Sequence, residues 1–302
     1  MVSVSPILVT GGSGQLASAL AVQGGARVHR VGRPEFDFDK PATIEAVFRA
    51  AAPWLVVNAA AYTAVDAAET DVAAAYRANR DGPAELARLC AAGGVPLIHV
   101  STDYVYDGAK LSAYVETDAV GPQGVYGASK LAGETLVLAS GAPALILRTA
   151  WVYAASGRNF VRTMLTLGQS RDVLRVVADQ HGCPTAAADL ASAILTIASR
   201  FRADGWDDAW SGVFHAAGSG ETSWHGLATA VFFEAARHGA KTPVSVVPIT
   251  TAEYPTAARR PANSRLDCGR LEAVFGIRLT DWRTSLTRTI DEIFAGHGEL
   301  PR

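Results

Sequence analysis

Cysteine is scarce in this sequence of 302 residues. Cys90, Cys183 and Cys268 stand far apart, in a number and spacing that suit neither a disulfide framework nor a zinc site, so they are expected as packing residues. The histidines make no His-x-x-x-His pair, and no Cys-x-x-Cys accompanies them. His181 and Cys183 lie close together, but one such pair reads as a turn residue and a buried thiol, and no metal is expected. A strong charge of either sign is also missing: the net charge of -2 gives no electrostatic reason to expect nucleic acid or an anionic membrane as partner. No apolar run is long enough to span a bilayer, and the N-terminus lacks the basic region and apolar core of a leader, so a cytoplasmic chain is expected. Lysine is nearly as rare as cysteine, with Lys40, Lys110, Lys130 and Lys241 the whole complement.

What remains is a globular chain, 49% hydrophobic, long enough for one large α/β unit or two closely packed domains. Ile7-Leu8-Val9 reads as a strand ending in Thr10-Gly11-Gly12-Ser13-Gly14, after which Leu16, Leu20 and Ala21 recur at helical spacing. Gly11 and Gly14 let the backbone approach a ligand, and the free amides of the helix start suit a pyrophosphate. Arg27 to Val31 reads as the second strand, and Arg30 and Arg33 stand at its end, where an arginine favours the 2′-phosphate of NADPH over NADH; Asp37 and Asp39 are the alternative holders of the adenine end. Leu55 to Asn58 is a third strand, followed by the small residues Ala59, Ala60 and Ala61 before Tyr62, which leave room for a cofactor. A long helix is expected from Asp71 to Ala92, stopped by Gly93-Gly94. Strands at Val95–Ser101 and Ala144–Leu147 flank a helix over Tyr126–Ala139.

Strands alternating with helices at this spacing predict a doubly wound, Rossmann-type parallel sheet with ligands at its carboxyl edge. The cofactor-binding part is expected over residues 1–150, with return segments near 185–216. Residues 151–302 are expected to form mainly a smaller α/β substrate-binding lobe. The loop Ala203 to Gly212, rich in tryptophan and aspartate, is expected at the surface as a candidate partner contact. Tyr126 and Lys130 lie four residues apart and share a helix face. A Lys⁺ about 4 Å from the phenol would favour phenolate by up to ~4 kcal/mol, which predicts proton exchange near neutrality.

The stretches Thr10-Gly-Gly-Ser-Gly-Gln-Leu16, Ser101-Thr-Asp-Tyr-Val-Tyr106, Tyr126-Gly-Ala-Ser-Lys130, Arg148-Thr-Ala-Trp-Val-Tyr153, Asp179-Gln-His-Gly-Cys-Pro-Thr185 and Arg260-Pro-Ala-Asn-Ser264 together resemble the extended short-chain dehydrogenase/reductase family, nearly end to end. The resemblance implies NAD(P)H-dependent reduction of a dTDP-linked 4-ketosugar. By position it makes Thr102, Tyr126 and Lys130 catalytic. It puts Gly11, Gly14, Gln15, Leu16, Arg33, Asp37, Ala60, Ala61 and Tyr62 at the cofactor with Tyr126 and Lys130, and Thr102, Asp103, Trp151 and Asn159 at the substrate. Nucleotide-sugar dehydratases of the family carry Asp-Glu after the threonine; Tyr104 follows Asp103 here, which disfavours dehydration. A glutamate that in some members holds Mg²⁺ at a dimer contact is replaced by Ala19, so the resemblance leaves monomer or homodimer open and implies no metal. The alternatives are a reductase of a different dTDP-4-keto-6-deoxysugar and a non-catalytic NADP-binding regulatory subunit.

Overall fold

The structure, a computed structural model, describes residues 5–297. Residues 1–4, part of the N-terminus that predicts a leaderless chain, lie outside the described residues. Six parallel strands form the central sheet: β1 Ile7–Thr10, β2 Val28–Val31, β3 Leu55–Asn58, β4 Leu97–Thr102, β5 Ala144–Thr149 and β6 Gly212–His215. Their order is β6-β5-β4-β3-β1-β2, so the direction of winding reverses between β1 and β3. This is the doubly wound arrangement expected, and its crevice opens where the carboxyl ends of β1 and β3 part.

Alternation along each strand builds two cores, because successive side chains of a strand point to opposite faces. Ile7, Val9, Leu55, Val57, Leu145 and Leu147 face one layer, covered by α1 (Gln15–Gly24) and the later helix Ala187–Asp204. Leu8, Val56, Leu97 and Ile146 face the other. That second layer is covered by α2 (Pro41–Ala51), α3 (Gly82–Gly93) and α4 (Val125–Ala139). Both faces of the strands are apolar because both are covered, as in parallel sheets generally.

The expected helix Asp71–Ala92 is interrupted. Asp71 caps a helical start at Val72–Tyr76, the chain widens to a π-turn over Arg77–Asp81, and only then does α3 begin. Pro83 has no amide to give the Asn79 carbonyl four residues earlier. That carbonyl lies against Gly133 of α4, where a Cβ would come within 2.0 Å.

The second lobe has its own core, formed by α5 (Phe160–Ser170), α7 (Trp224–Arg237) and α8 (Trp282–Glu292) around the strand pair Val173–Val177 and Ser245–Ile249. The helix between α5 and α7, Ala187–Asp204, is α6 and belongs to the first core. The Trp206–Trp210 loop lies at the surface as expected, with Asp207, Asp208 and Ala209 exposed, but its tryptophans turn inward: Trp210 is buried and stacks on Phe201, and Trp206 meets both rings edge-on. Aromatic area of this size is driven under the end of α6 by burial.

Candidate active site

A cleft of about 900 Å³ runs along the carboxyl edge of the sheet between the two lobes. Of the residues singled out in the sequence, Gly11, Gly14, Gln15, Leu16, Arg33, Ala60, Ala61, Tyr62, Thr102, Asp103, Tyr126, Lys130 and Trp151 line it. Asp37 and Asn159 stand behind the lining and hold residues that form it.

At the β1–α1 turn Gly11 adopts φ 110°, and a Cβ there would meet the Ala59 backbone at 3.0 Å. Only glycine fits this crossing. The helix start at Gly14 takes no side-chain cap, which leaves its first amides for an anion. Across the crevice, Asn79 brackets Tyr62, accepting from its amide at 2.8 Å and donating to its carbonyl at 3.1 Å. It also donates to Ser129 Oγ at 2.9 Å, so the π-turn fixes the cofactor-side loop and α4 together. The sequence reading missed Asn79; the one available signal was Pro83, which sits four residues on inside a helical pattern. A dinucleotide fits these residues: a glycine cradle, an uncapped helix start and a wall of small side chains. At the far end Arg33 donates to Asp37 at 2.9 Å and to Asp39 at 2.7 Å, and Asp39 also accepts from Arg77 at 2.9 Å. Asp37 therefore serves as a partner of Arg33. The rings of Phe36 and Phe38, which the sequence reading passed over, line the same end.

At the other end, Thr102 finishes β4 and its hydroxyl donates to Asp103 Oδ1 at 3.0 Å. Asp103 is buried, and its Oδ2 meets no hydrogen-bond partner. Burial pushes its carboxyl up to about 6, against the hydroxyls of Ser264 and Thr102, which hold it down. Helix α4 seats directly on the Tyr104 backbone, since Gly127 lacks the Cβ that would otherwise lie 2.1 Å from the Tyr104 carbonyl oxygen. This contact brings the Tyr126 ring edge-on to Tyr104 at 5.4 Å.

The electrostatics of the Tyr–Lys pair differ from the sequence expectation. Burial raises the Tyr126 phenol above its ordinary range, the Thr102 hydroxyl pulls it down, and Asp103 and Tyr104 add to the rise. Lys130 turns instead toward β4, donating to the Val100 carbonyl at 2.7 Å, with His99 Nε2 at 3.4 Å. Burial brings its ammonium down to about 8, partly offset by Glu134. A shared helix face fixes direction from the axis, but a four-carbon stem lets Lys130 reach the floor of the sheet. The phenol is thus shifted away from phenolate rather than toward it.

The wall of the cleft facing the second lobe is aromatic. Trp151 adopts φ 49°, a conformation rare for a bulky residue, and its ring stacks on Trp224 at 3.5 Å with Gly182 beneath it. Trp224 itself donates to Gln180 at 3.1 Å. Asn159 is used up locally: its Oδ1 caps α5 at Arg162, while its Nδ2 donates to Ala154 and, at 3.0 Å, to Gln15. It joins the second lobe to the cofactor turn rather than reaching into the cleft. Arg260, from the loop ahead of the strand Asn263–Ser264, reaches the cleft and donates to Tyr104 Oη at 3.0 Å and to Asp66. Among the described residues, no group of three or more His, Cys, Asp or Glu side chains comes together to hold a metal.

Comparison with known proteins agrees along the whole chain. The family described as RmlD substrate binding domain matches residues 5–294. A dTDP-4-dehydrorhamnose reductase of Sinorhizobium fredii is 48% identical over 286 residues, covering 94% of this chain and 96% of that protein. One of Burkholderia thailandensis is 46% identical, covering 96% and 99%. Among solved structures, the Clostridium acetobutylicum dTDP-4-dehydrorhamnose reductase superposes with a TM-score of 0.87 at 36% identity, covering 95% of this chain and 98% of that one. That of Bacillus anthracis, in complex with NADP, gives 0.86 at 31% identity, covering 95% and 99%. Full-length agreement in sequence and in fold, with the Tyr-x-x-x-Lys pair at the end of a dinucleotide cleft, means that the chain belongs to the RmlD family of extended short-chain dehydrogenase/reductases.

Proposed function

We propose that this chain is an NAD(P)H-dependent reductase that converts the C4 ketone of dTDP-4-dehydro-L-rhamnose to the alcohol of dTDP-L-rhamnose. The observation that carries the reading is the half-buried Tyr126, its phenol raised above the ordinary range beside Thr102 at the inner end of a dinucleotide-shaped cleft. When bound, the nicotinamide supplies hydride to the carbonyl carbon. Thr102 donates to the carbonyl oxygen, and Tyr126 gives that oxygen its proton as alkoxide develops. A phenol raised above its usual range is weakly acidic in the resting site and still acidic enough for an alkoxide. Gly11, Gly14, Gln15 and Leu16 would hold the pyrophosphate, Ala60, Ala61 and Tyr62 would flank the ribose, and Lys130 would hold the nicotinamide ribose. Asp103 and the Trp151 ring meet the sugar, whose hydroxyl edge suits a carboxyl and whose C–H surface suits an aromatic ring.

In this reading residues 1–150 with 185–216 carry the cofactor, supported by β6 pairing with β5 and α6 packing beside α1. The rest of 151–302 carries the substrate. A cytoplasmic monomer or homodimer suits an enzyme whose substrate and cofactor are both highly charged nucleotides. The test mixes purified protein, NADPH and dTDP-4-dehydro-L-rhamnose and follows nicotinamide absorbance. Loss of absorbance with formation of dTDP-L-rhamnose is the expected result. No oxidation would leave a cofactor-binding protein without turnover, and oxidation only with a different 4-ketosugar would reassign the substrate.

A further inference from the structure

A line of buried side chains crosses the sheet beneath the cleft: Thr10 on β1, Asn58 on β3, His99 on β4 and Lys130 on α4, none more than 1% exposed. Its protons can be placed one by one. The Ala60 amide, which can only donate, is shared between Thr10 Oγ1 and Asn58 Oδ1 at 3.2 Å each, and the Thr10 hydroxyl passes its own proton on to Asn58 Oδ1 at 2.6 Å. The oxygen of the Asn58 amide is therefore fixed on that side, and its Nδ2 faces His99 Nδ1 at 2.9 Å. An amide nitrogen only donates, so Nδ1 of His99 accepts and carries no proton. The neutral ring then carries its proton on Nε2, which faces Lys130 Nζ at 3.4 Å.

Here the sequence of donors meets a choice. An ammonium has three donors and no lone pair, so Lys130 in its charged form opposes the His99 N–H; the uncharged amine offers a lone pair to that N–H and still donates to the Val100 carbonyl at 2.7 Å. The other groups facing Lys130 are few. Along α4, Tyr126 lies one turn before it and Glu134 one turn after, and the Glu134 carboxylate is engaged by Arg148 of β5 at 2.6 Å. We propose that His99 is a positioning residue whose tautomer, fixed by Asn58 and Thr10, stabilises the amine form of Lys130 and so lets this lysine change charge during turnover. The proton balance is simple. Tyr126 loses its proton to the substrate oxygen and regains one from water, while Lys130 gives up its own proton to water and takes one back, His99 accommodating the amine in between. Burial of Lys130, which already brings it to about 8, acts in the same direction. Likewise His99 is held well below the ordinary histidine range by burial and by Lys130, so its ring stays neutral.

The catalytic consequence rests on the reductase reading; the charge state of Lys130 does not, and is measured directly. Lysine labelled at Cε gives four resonances, for Lys40, Lys110, Lys130 and Lys241, and the one lost in Lys130→Arg is that of Lys130. In His99→Gln the side-chain amide reaches the place of Nε2 but is no longer oriented by Asn58, so it can turn its oxygen to an ammonium. The Lys130 titration midpoint is expected to rise by one pH unit or more, a tenfold or larger change, with a parallel move of the kcat profile. An unchanged midpoint in a folded variant overturns the proposal. Nitrogen-15 histidine spectra of the unmodified protein provide an independent test: His99 protonated on Nε2 supports the proposal, and His99 protonated on Nδ1 overturns it even where the variant does not fold. A midpoint that moves without any change in the kcat profile upholds the His99–Lys130 coupling and removes Lys130 from the proton path.

Discussion

His99 and His215 are both fully buried near the carboxyl edge of the sheet, on β4 and β6, yet their rings hold the proton on opposite nitrogens. In His215, Nδ1 lies 2.9 Å from the Asp267 carbonyl, which only accepts, so the proton sits on Nδ1 and Nε2 accepts from Tyr106 at 2.7 Å. Tyr106 in turn accepts from Arg148 at 2.8 Å, and Arg148 is paired with Glu134. That line ends in a matched pair of opposite charges. The line through His99 ends in a lysine with a neutral imidazole and a carbonyl for company. The difference teaches how one sheet edge serves two ends: a buried ion pair fixes α4 to β5, while a cation with no directly paired carboxylate is left free to change its charge.

The largest effect should come from breaking the reactive side alone. Tyr126→Phe is expected to lower kcat by roughly 10²–10⁴-fold, the range for loss of a general acid, with the cofactor dissociation constant and thermal midpoint nearly unchanged. A variant that turns over normally would remove the acid from Tyr126. Breaking the compensated side should do the reverse. Glu134→Leu strands the buried Arg148 charge and is expected to cost about 3–5 kcal/mol in urea unfolding, most of it recovered in Glu134→Leu combined with Arg148→Met. Equal stability of the single variant and the native chain would show that water reaches Arg148.

The two lines also respond to acid. Burial and the Arg148 charge lower His215 to about 4, while an unfolded histidine titrates near pH ~6.5. Between those values the unfolded chain binds more protons, so this contribution is fully present above pH ~6.5 and is lost as pH falls toward about 4, by up to about 3 kcal/mol. His99 tilts stability in the same direction. Asp103, raised to about 6, acts oppositely: the folded chain holds its proton longer, so that contribution declines as pH rises through the window. Urea unfolding of His215→Gln between pH 4.5 and 7.5 should therefore converge with the native chain at low pH and fall below it at neutral pH. The smallest effect lies at the adenine end. Asp39→Asn frees Arg33 from one of two carboxylates and should raise the preference for NADPH over NADH by roughly two- to fivefold, the size expected of an exposed ion pair. Steady-state KM values for both cofactors check it, and an unchanged ratio would detach Arg33 from cofactor choice.

Much of the cofactor half was legible in the sequence because its contacts are local. Apolar runs such as Ile7-Leu8-Val9 and Leu55-Val56-Val57 are buried on both faces, Gly94 stops α3 in the left-handed conformation, and the glycine turn follows a strand directly. The second lobe was legible only in its longer elements. The pairing of His181–Gly182 with both Thr222–Ser223 and Asn263–Ser264 joins segments too short to carry a period. The Trp151–Trp224 stack and the Arg260–Tyr104 contact likewise join residues far apart along the chain, so no spacing rule could find them.

By itself the sequence determined the parallel sheet, the dinucleotide turn and the order of Thr102, Tyr126 and Lys130, because hydrophobic period, glycine placement and helical spacing are local properties. Tertiary structure decided the charges. Whether Lys130 faces a phenol or an imidazole, whether Tyr126 is an acid or a phenolate, and which nitrogen of His99 carries a proton all depend on which buried donors and acceptors meet across three strands and a helix. In a low-dielectric interior those meetings, rather than the residue types, set the protonation state.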